Sequence, residues 1–345
     1  MGATQDLLDD IRKQLAPSDE VLAEARARRD LVRSIAESFP GTVRSFTSGS
    51  LAHGTANCPV HQRDAGLDGD AGLVLDRRTH PQLGPDSDAN VGPNEIVEAI
   101  RAHVAIGVTK KYPSAVVTTS KRAIFIEFHS PLSEGEDPTV DLVVSLDRQG
   151  KPGLWIPNTE KDSWDPSHPE KHTELLTADP AGLRRVRARA IRLAKAENKR
   201  TATPPLSSFN IEALALMFVE EGVDSAQSLL AIWRDGAADL RTRLTPDPAR
   251  VSAPIKVADV DVAVARLESA AAALQSALDH DDDEDWVRGQ LAKLWPDFVA
   301  SSPTAVSKAR LAAALKAGKP VSAAAGVGLA LAGGTALKAT RAFGG

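Results

Sequence analysis

Residues 67–76 read LDGDAGLVLD and residues 138–146 read PTVDLVVSL. Both are apolar runs of strand length with acids at their entry. On a strand, residues i and i+2 share a face, so Asp68 and Asp70 stand side by side. Two adjacent carboxylates repel each other unless a cation lies between them, and such a pair suits magnesium. Asp141 lies just inside the second run, where an acid buried without a partner is costly. Facing the same cation from a neighbouring strand accounts for it. Taken alone, each acid also has an ordinary reading, as an acidic turn before a strand or a strand-end cap.

Just upstream, Ser48-Gly49-Ser50-Leu51 follows a strand candidate at 42–47. Glycine lets the backbone approach a ligand closely. The exposed N–H groups of such a turn suit phosphate oxygens, and Ser50 adds a hydroxyl. The order is therefore helix, strand, Gly-Ser turn, strand with Asp-x-Asp, then a later strand with one Asp. Three carboxylates can hold two Mg²⁺ (or Mn²⁺) ions about 3.5–4 Å apart, the spacing of two-metal phosphoryl transfer. In that chemistry one ion activates the attacking hydroxyl and the other neutralises the triphosphate and its leaving pyrophosphate.

The surrounding pattern fits a chain of two lobes. Helical spacing runs through 5–39, broken at Pro17-Ser18. A helix is expected at about 94–106, and strands at 69–76, 115–119, 123–128 and 139–146. From about 170 onward the pattern is helical, at 170–199, 207–221, 225–241, 259–279, 284–300 and 303–317. The expected fold class is α+β, bilobal, with the site between the lobes. The acidic run Asp281–Asp285 reads as a solvated turn favouring the next helix N-terminus.

The chain has 345 residues, with 46 Asp+Glu against 41 Lys+Arg, a net charge of -5. The acidic excess argues against long nucleic acid as a partner. The single cysteine, Cys58, excludes an internal disulfide. Cys58 and His61 are too few ligands for a structural zinc. The N-terminus lacks a signal-peptide core, and the Ala/Gly-rich 321–337 falls short of a membrane span. A cytoplasmic protein without membrane contact is expected.

The Gly-Ser turn Ser48-Gly49-Ser50, the Asp68/Asp70 pair and Asp141 together resemble the nucleotidyltransferase superfamily with a polymerase-β-like palm. IRLAKAENK (191–199) and LSSFNIEAL (206–214) resemble paired segments of its oligoadenylate-synthase and cyclic-dinucleotide-synthase branch. There a Lys on one helix and a Ser at the start of the next hold the donor triphosphate, which implies Lys195 and Ser208. Ser208 also suits a helix N-cap, and Lys195 an ordinary surface position. The aromatic usual after that Lys is replaced by Ala196. WIPNTEKDSWDPSHPEKHTELL (155–176) and GPDSDANVGPNE (84–95) resemble bacterial CD-NTases, the cGAS/DncV-like synthases of CBASS anti-phage systems. In the former, Trp164, Pro169 and His172 would form a lid or hinge, unless the segment is an ordinary linker.

The resemblance implies a palm at 1–165 with its N-terminal helix, a helical lobe at 166–320 and a flexible tail at 321–345. It implies that ATP, GTP or other NTPs are joined into a cyclic oligonucleotide second messenger with release of pyrophosphate. Asp68 and Asp70 would hold both metals, while Asp141 would bind the catalytic one and help deprotonate the acceptor hydroxyl. Ser48, Gly49, Ser50, Lys195 and Ser208 would bind nucleotide. The C-terminal Gly345 resembles an end joined by a ubiquitin-like conjugation enzyme; a terminus with no role is the alternative. Two other functions remain open: nucleotidyl transfer to a protein, small-molecule or tRNA acceptor, and a non-catalytic interaction protein.

Overall fold

The computed structural model describes residues 2–58, 66–178 and 180–299. Its first half is built on a seven-stranded mixed sheet. The strands are β1 (Thr42–Ser48), β2 (Asp68–Leu75), β3 (Val116–Thr119), β4 (Ile124–Glu127), β5 (Thr139–Asp147), β6 (Leu154–Asn158) and β7 (Ser163–Ser167). Their order is β1-β2-β5-β4-β3, with β6 also pairing β5 and β7 pairing β6. The two quoted apolar runs are the central strands β2 and β5, paired in parallel and buried almost throughout. Near-continuous Val and Leu suit such strands because both of their faces are covered.

One face of the sheet is covered by α2 (Asp19–Glu37) and α4 (Asn94–Thr109). Ser18 caps α2, its hydroxyl accepting from the Val21 N–H at 3.3 Å. Val21, Ala25, Val32 and Ala36 form the buried stripe of α2, and Val97, Ile100, Val104 and Val108 that of α4. Each buried Val or Ile contributes about 1.5–3 kcal/mol. Within the α2 stripe lies Arg28, only 1% exposed. It pairs with Glu24 and Asp137, donates to the carbonyls of Ser130 and Pro138, and stacks on Tyr112 and Phe128. It thereby ties α2 to the segment leading into β5. Arg28→Ala leaves these acceptors without their donor and is expected to lower stability by about 3–5 kcal/mol, measured by urea unfolding; an unchanged midpoint would contradict this.

The helical half contains α5 (Pro169–Thr177), α6 (Ala181–Asn198), α7 (Ser208–Phe218), α8 (Ser225–Leu230), α9 (Gly236–Leu240), α10 (Val260–Leu278), α11 (Glu284–Leu294) and the short α12 (Pro296–Val299). The span expected as one helix at 170–199 is two, separated around Pro180. The span at 225–241 contains a π-helical turn, Ala231–Asp235, between α8 and α9. Pro296 interrupts the helix expected at 284–300. The helix expected at 303–317 lies outside the described residues.

Helix α1 (Ala3–Leu15) was expected with the palm, yet its apolar stripe Leu8, Ile11 and Leu15 joins the core of the helical half. Its N-terminus is held by Asp281, which accepts from the Thr4 N–H at 2.7 Å. Asp283 caps α11, accepting from the Trp286 N–H at 3.0 Å. Two acids of the 281–285 run therefore serve helix N-termini, as the charge pattern suggested and at one more helix than expected. No helix among the described residues is long and apolar enough to cross a membrane.

Candidate active site

The face of the sheet away from α2 and α4 carries the acids. β1 ends at Ser48, whose antiparallel partner on β2 is Asp70. Gly49 then turns the chain into α3 (Gly49–His53) with φ +70°, a left-handed conformation that glycine adopts without penalty. A methyl group on Gly49 would land on the Asp70 carboxylate, so the position is restricted twice, by conformation and by space. Gly49→Ala should cost about 1–2 kcal/mol from the backbone alone. Displacing Ser50 and Asp70 should also lower turnover about 100-fold. Melting curves and initial rates check both, and wild-type turnover would contradict the expectation.

On β2 and β5 the parallel register makes Asp70 and Asp141 partners, with Asp68 two residues before Asp70 on the same face. Asp70 is 5% exposed and Asp141 3%. Burial, then the charges of Asp141, Asp68 and Glu212, push the Asp70 carboxyl well above its ordinary range, while Lys195 pulls it down. Asp68 accepts a hydrogen bond from the Thr139 hydroxyl. The donor set of hard oxygens, with mutual repulsion raising one member, fits a divalent cation. Among the described residues, no three His, Cys, Asp or Glu side chains are drawn into a closed metal shell; Asp68 in particular leans on Thr139. Ser48 is buried beside Asp70, and its hydroxyl finds no partner among the described residues. Asp76 falls beyond β2 and pairs with Arg78 at 2.8 Å, which removes it from the cluster.

Lys195, on α6, is buried rather than a surface lysine. Its ammonium donates to Glu212 Oε1 at 2.6 Å and to the Thr55 hydroxyl at 3.1 Å. The Thr55 hydroxyl donates in turn to Glu212 Oε1 at 2.8 Å. The Thr55 N–H donates to the Ser50 carbonyl at 2.9 Å, so this group hangs directly from the Gly-Ser turn. His53 Nδ1 faces Glu212 Oε2 at 3.2 Å and His53 Nε2 faces the Thr173 hydroxyl at 3.1 Å. Sequence reasoning missed His53, Thr55 and Glu212. For Glu212 the available signal was its spacing of four residues from Ser208 on the same helix.

Ser208 is the first residue of α7 but not its cap. That role belongs to Ser207, whose hydroxyl accepts from the Asn210 N–H at 3.1 Å. The expected lid divides differently. Trp164 is buried in the palm core, its indole N–H donating to the Val91 carbonyl at 3.0 Å. His172 pairs with Asp247 at 2.6 Å and packs on Phe209, ring centroids 4.7 Å apart, beside Ser208. Pro169 is buried at the start of α5.

The fold has counterparts among solved structures. The Bradyrhizobium diazoefficiens CD-NTase CdnG in complex with GTP matches with a TM-score of 0.60 at 17% identity, over 88% of this chain and 96% of that one. This is the CD-NTase fold. CdnC of E. coli MS115-1 with ATP gives 0.60 and 17%, over 84% of this chain and 97% of that one. The Vibrio cholerae cyclic AMP-GMP synthase DncV, bound to the linear intermediate 5′ pppA(3′,5′)pG, gives 0.56 and 12%, over 87% and 88%. No protein-family model matches the chain, and a search of curated proteins finds no match. The polymerase-β-like palm with a helical lobe expected from sequence is thus the fold observed.

Proposed function

We propose that this chain is a metal-dependent nucleotidyltransferase that joins NTPs into a cyclic oligonucleotide second messenger. The observation that carries the reading is the pairing of Asp70 with Asp141 on adjacent parallel strands, beside the Ser48–Gly49 turn. The CD-NTase fold supports it, as do the GTP, ATP and linear intermediate named for the neighbours. Asp68, Asp70 and Asp141 would hold two Mg²⁺ or Mn²⁺ ions, which when bound activate the attacking hydroxyl and neutralise phosphate charge.

The chain's own groups do the rest. The Ser48–Gly49–Ser50 turn offers N–H groups and hydroxyls to the donor phosphates. Lys195 and Ser208 hold the triphosphate from the helical side. Asp141 takes the proton from the acceptor ribose hydroxyl as its oxygen bonds to the α-phosphorus. The bond to pyrophosphate breaks, and a second such transfer closes the ring.

In the same reading the palm spans 1–165, with α1 packed against the helical lobe of 166–320, and the tail spans 321–345. The protein works in the cytoplasm in anti-phage signalling. Gly345, outside the described residues, is the point of ubiquitin-like conjugation. Mass spectrometry of phosphatase-treated products from all four NTPs with Mg²⁺ tests the reaction. A cyclic product is expected; nucleotide tagged onto a protein, small molecule or tRNA would replace this reading with the alternative acceptor.

A further inference from the structure

We infer that Glu212 is a positioning residue that holds Lys195 toward the phosphate site and away from the acids. The inference rests on the reading of Lys195 as a triphosphate-binding lysine. A carboxylate at a triphosphate site is unfavourable in itself, because it repels the incoming anion. Glu212 is nonetheless buried there, in electrostatic reach of Asp70. Lys195 is anchored through Thr55 to the same turn whose Ser48 pairs with Asp70, so with no competing anion its ammonium is left to compete with a cation for the acids.

Glu212 supplies the competitor, and its own position is fixed from two sides. His53 and Thr55, which flank Gly54 just after the Gly-Ser turn, contact its two oxygens from the palm, and Lys195 contacts it from α6. Glu212 and Thr55 use two of the three N–H groups of Lys195. The third is left for a phosphate oxygen. His53 is steadied at its far nitrogen by Thr173 of α5. The cluster therefore joins α3, α5, α6 and α7 at the phosphate turn.

The test measures binding of α,β-methylene ATP and α,β-methylene GTP by calorimetry over a range of Mg²⁺ concentrations. Glu212→Gln keeps the acceptor and the shape but removes the charge. It is expected to raise the Mg²⁺ concentration for half-maximal binding about ten-fold, the scale of one charge-assisted hydrogen bond.

In a Lys195→Ala background, Glu212→Gln should have no further effect on binding, because Glu212 acts through Lys195. An unshifted Mg²⁺ requirement, or the same penalty in both backgrounds, overturns the inference, since a purely structural pair would lower stability without changing the Mg²⁺ requirement. If Glu212→Gln does not fold, Thr55→Val removes the hydroxyl that orients both partners; it should shift the Mg²⁺ requirement in the same direction, and no shift overturns the inference. Wild type that binds neither analogue overturns this inference together with the functional reading. Wild type that binds but makes no product overturns the reaction alone, and the binding cycle still decides on Glu212.

Discussion

Asp70→Asn is expected to abolish turnover, with a loss of at least about 1000-fold, while leaving the protein folded and more heat-stable. The activity loss follows from removing a proposed cation ligand and a charge at the centre of the acidic cluster. The stability gain follows from burial. In the metal-free protein the Asp70 carboxyl is raised above its ordinary range by burial and by Asp141, Asp68 and Glu212. The folded state therefore holds its proton more tightly than the unfolded chain does. The stability that Asp70 contributes is greatest at acidic pH and is lost as pH rises from the ordinary carboxylate range through the raised folded value. An amide has no charge to desolvate, so the variant escapes that loss at neutral pH. Calorimetric melts at several pH values, run without metal, measure the gain, and product assays measure the loss. A variant with wild-type turnover, or one less stable at neutral pH, would contradict the account. Stability given up at a functional site is the trade-off expected of a preorganised centre.

Lys195→Ala is expected to lower stability by about 3–5 kcal/mol, because it leaves Glu212 buried without its closest cation. Burial alone would raise the Glu212 carboxyl, but Lys195 and then His53 hold it well below the ordinary range. A depressed carboxylate contributes stability above its unfolded pKa and loses it as pH falls toward the folded one. The stability that Glu212 contributes should therefore fade on acidification, and Lys195→Ala should flatten that component of the acid limb as well as lower the plateau. Urea unfolding between neutral and acidic pH reads both. A parallel acid limb in the two proteins would show that Lys195 does not set the charge of Glu212.

The acidic centre was legible in the sequence because its logic is local. Two acids at strand parity, an acid inside an apolar strand and a Gly-Ser turn each have a chemistry that residue order reveals. The pairing of Asp70 with Asp141 was not legible, since parallel register across 71 positions is set by packing. The β6–β7 hairpin was hidden inside a segment that resembled a linker. Its strands are five residues each and contain Pro157 and Pro166, which signal against strand and are tolerated at a sheet margin. Helix α1 reads as part of the first lobe by proximity, yet its stripe is buried by non-local partners from α6 and α11. Glu212 escaped notice for the same reason: its meaning lies in His53, 159 positions away, and not in its neighbours. Ser207 and Ser208 are chemically equivalent candidates for the α7 cap, and only the backbone geometry chooses the former.

The apparent conflict between an acidic chain and a phosphate-rich substrate resolves at this scale. The net charge of -5 describes the whole surface. The triphosphate would meet a turn of N–H groups, a lysine held by Glu212 and cations on three carboxylates. The most direct measurement is anomalous diffraction from crystals grown with Mn²⁺ and an α,β-methylene nucleotide. The account predicts manganese signal at Asp68, Asp70 and Asp141, with the triphosphate on Ser48–Ser50 and Lys195. Nucleotide bound elsewhere, or bound there without manganese at the acids, would contradict it.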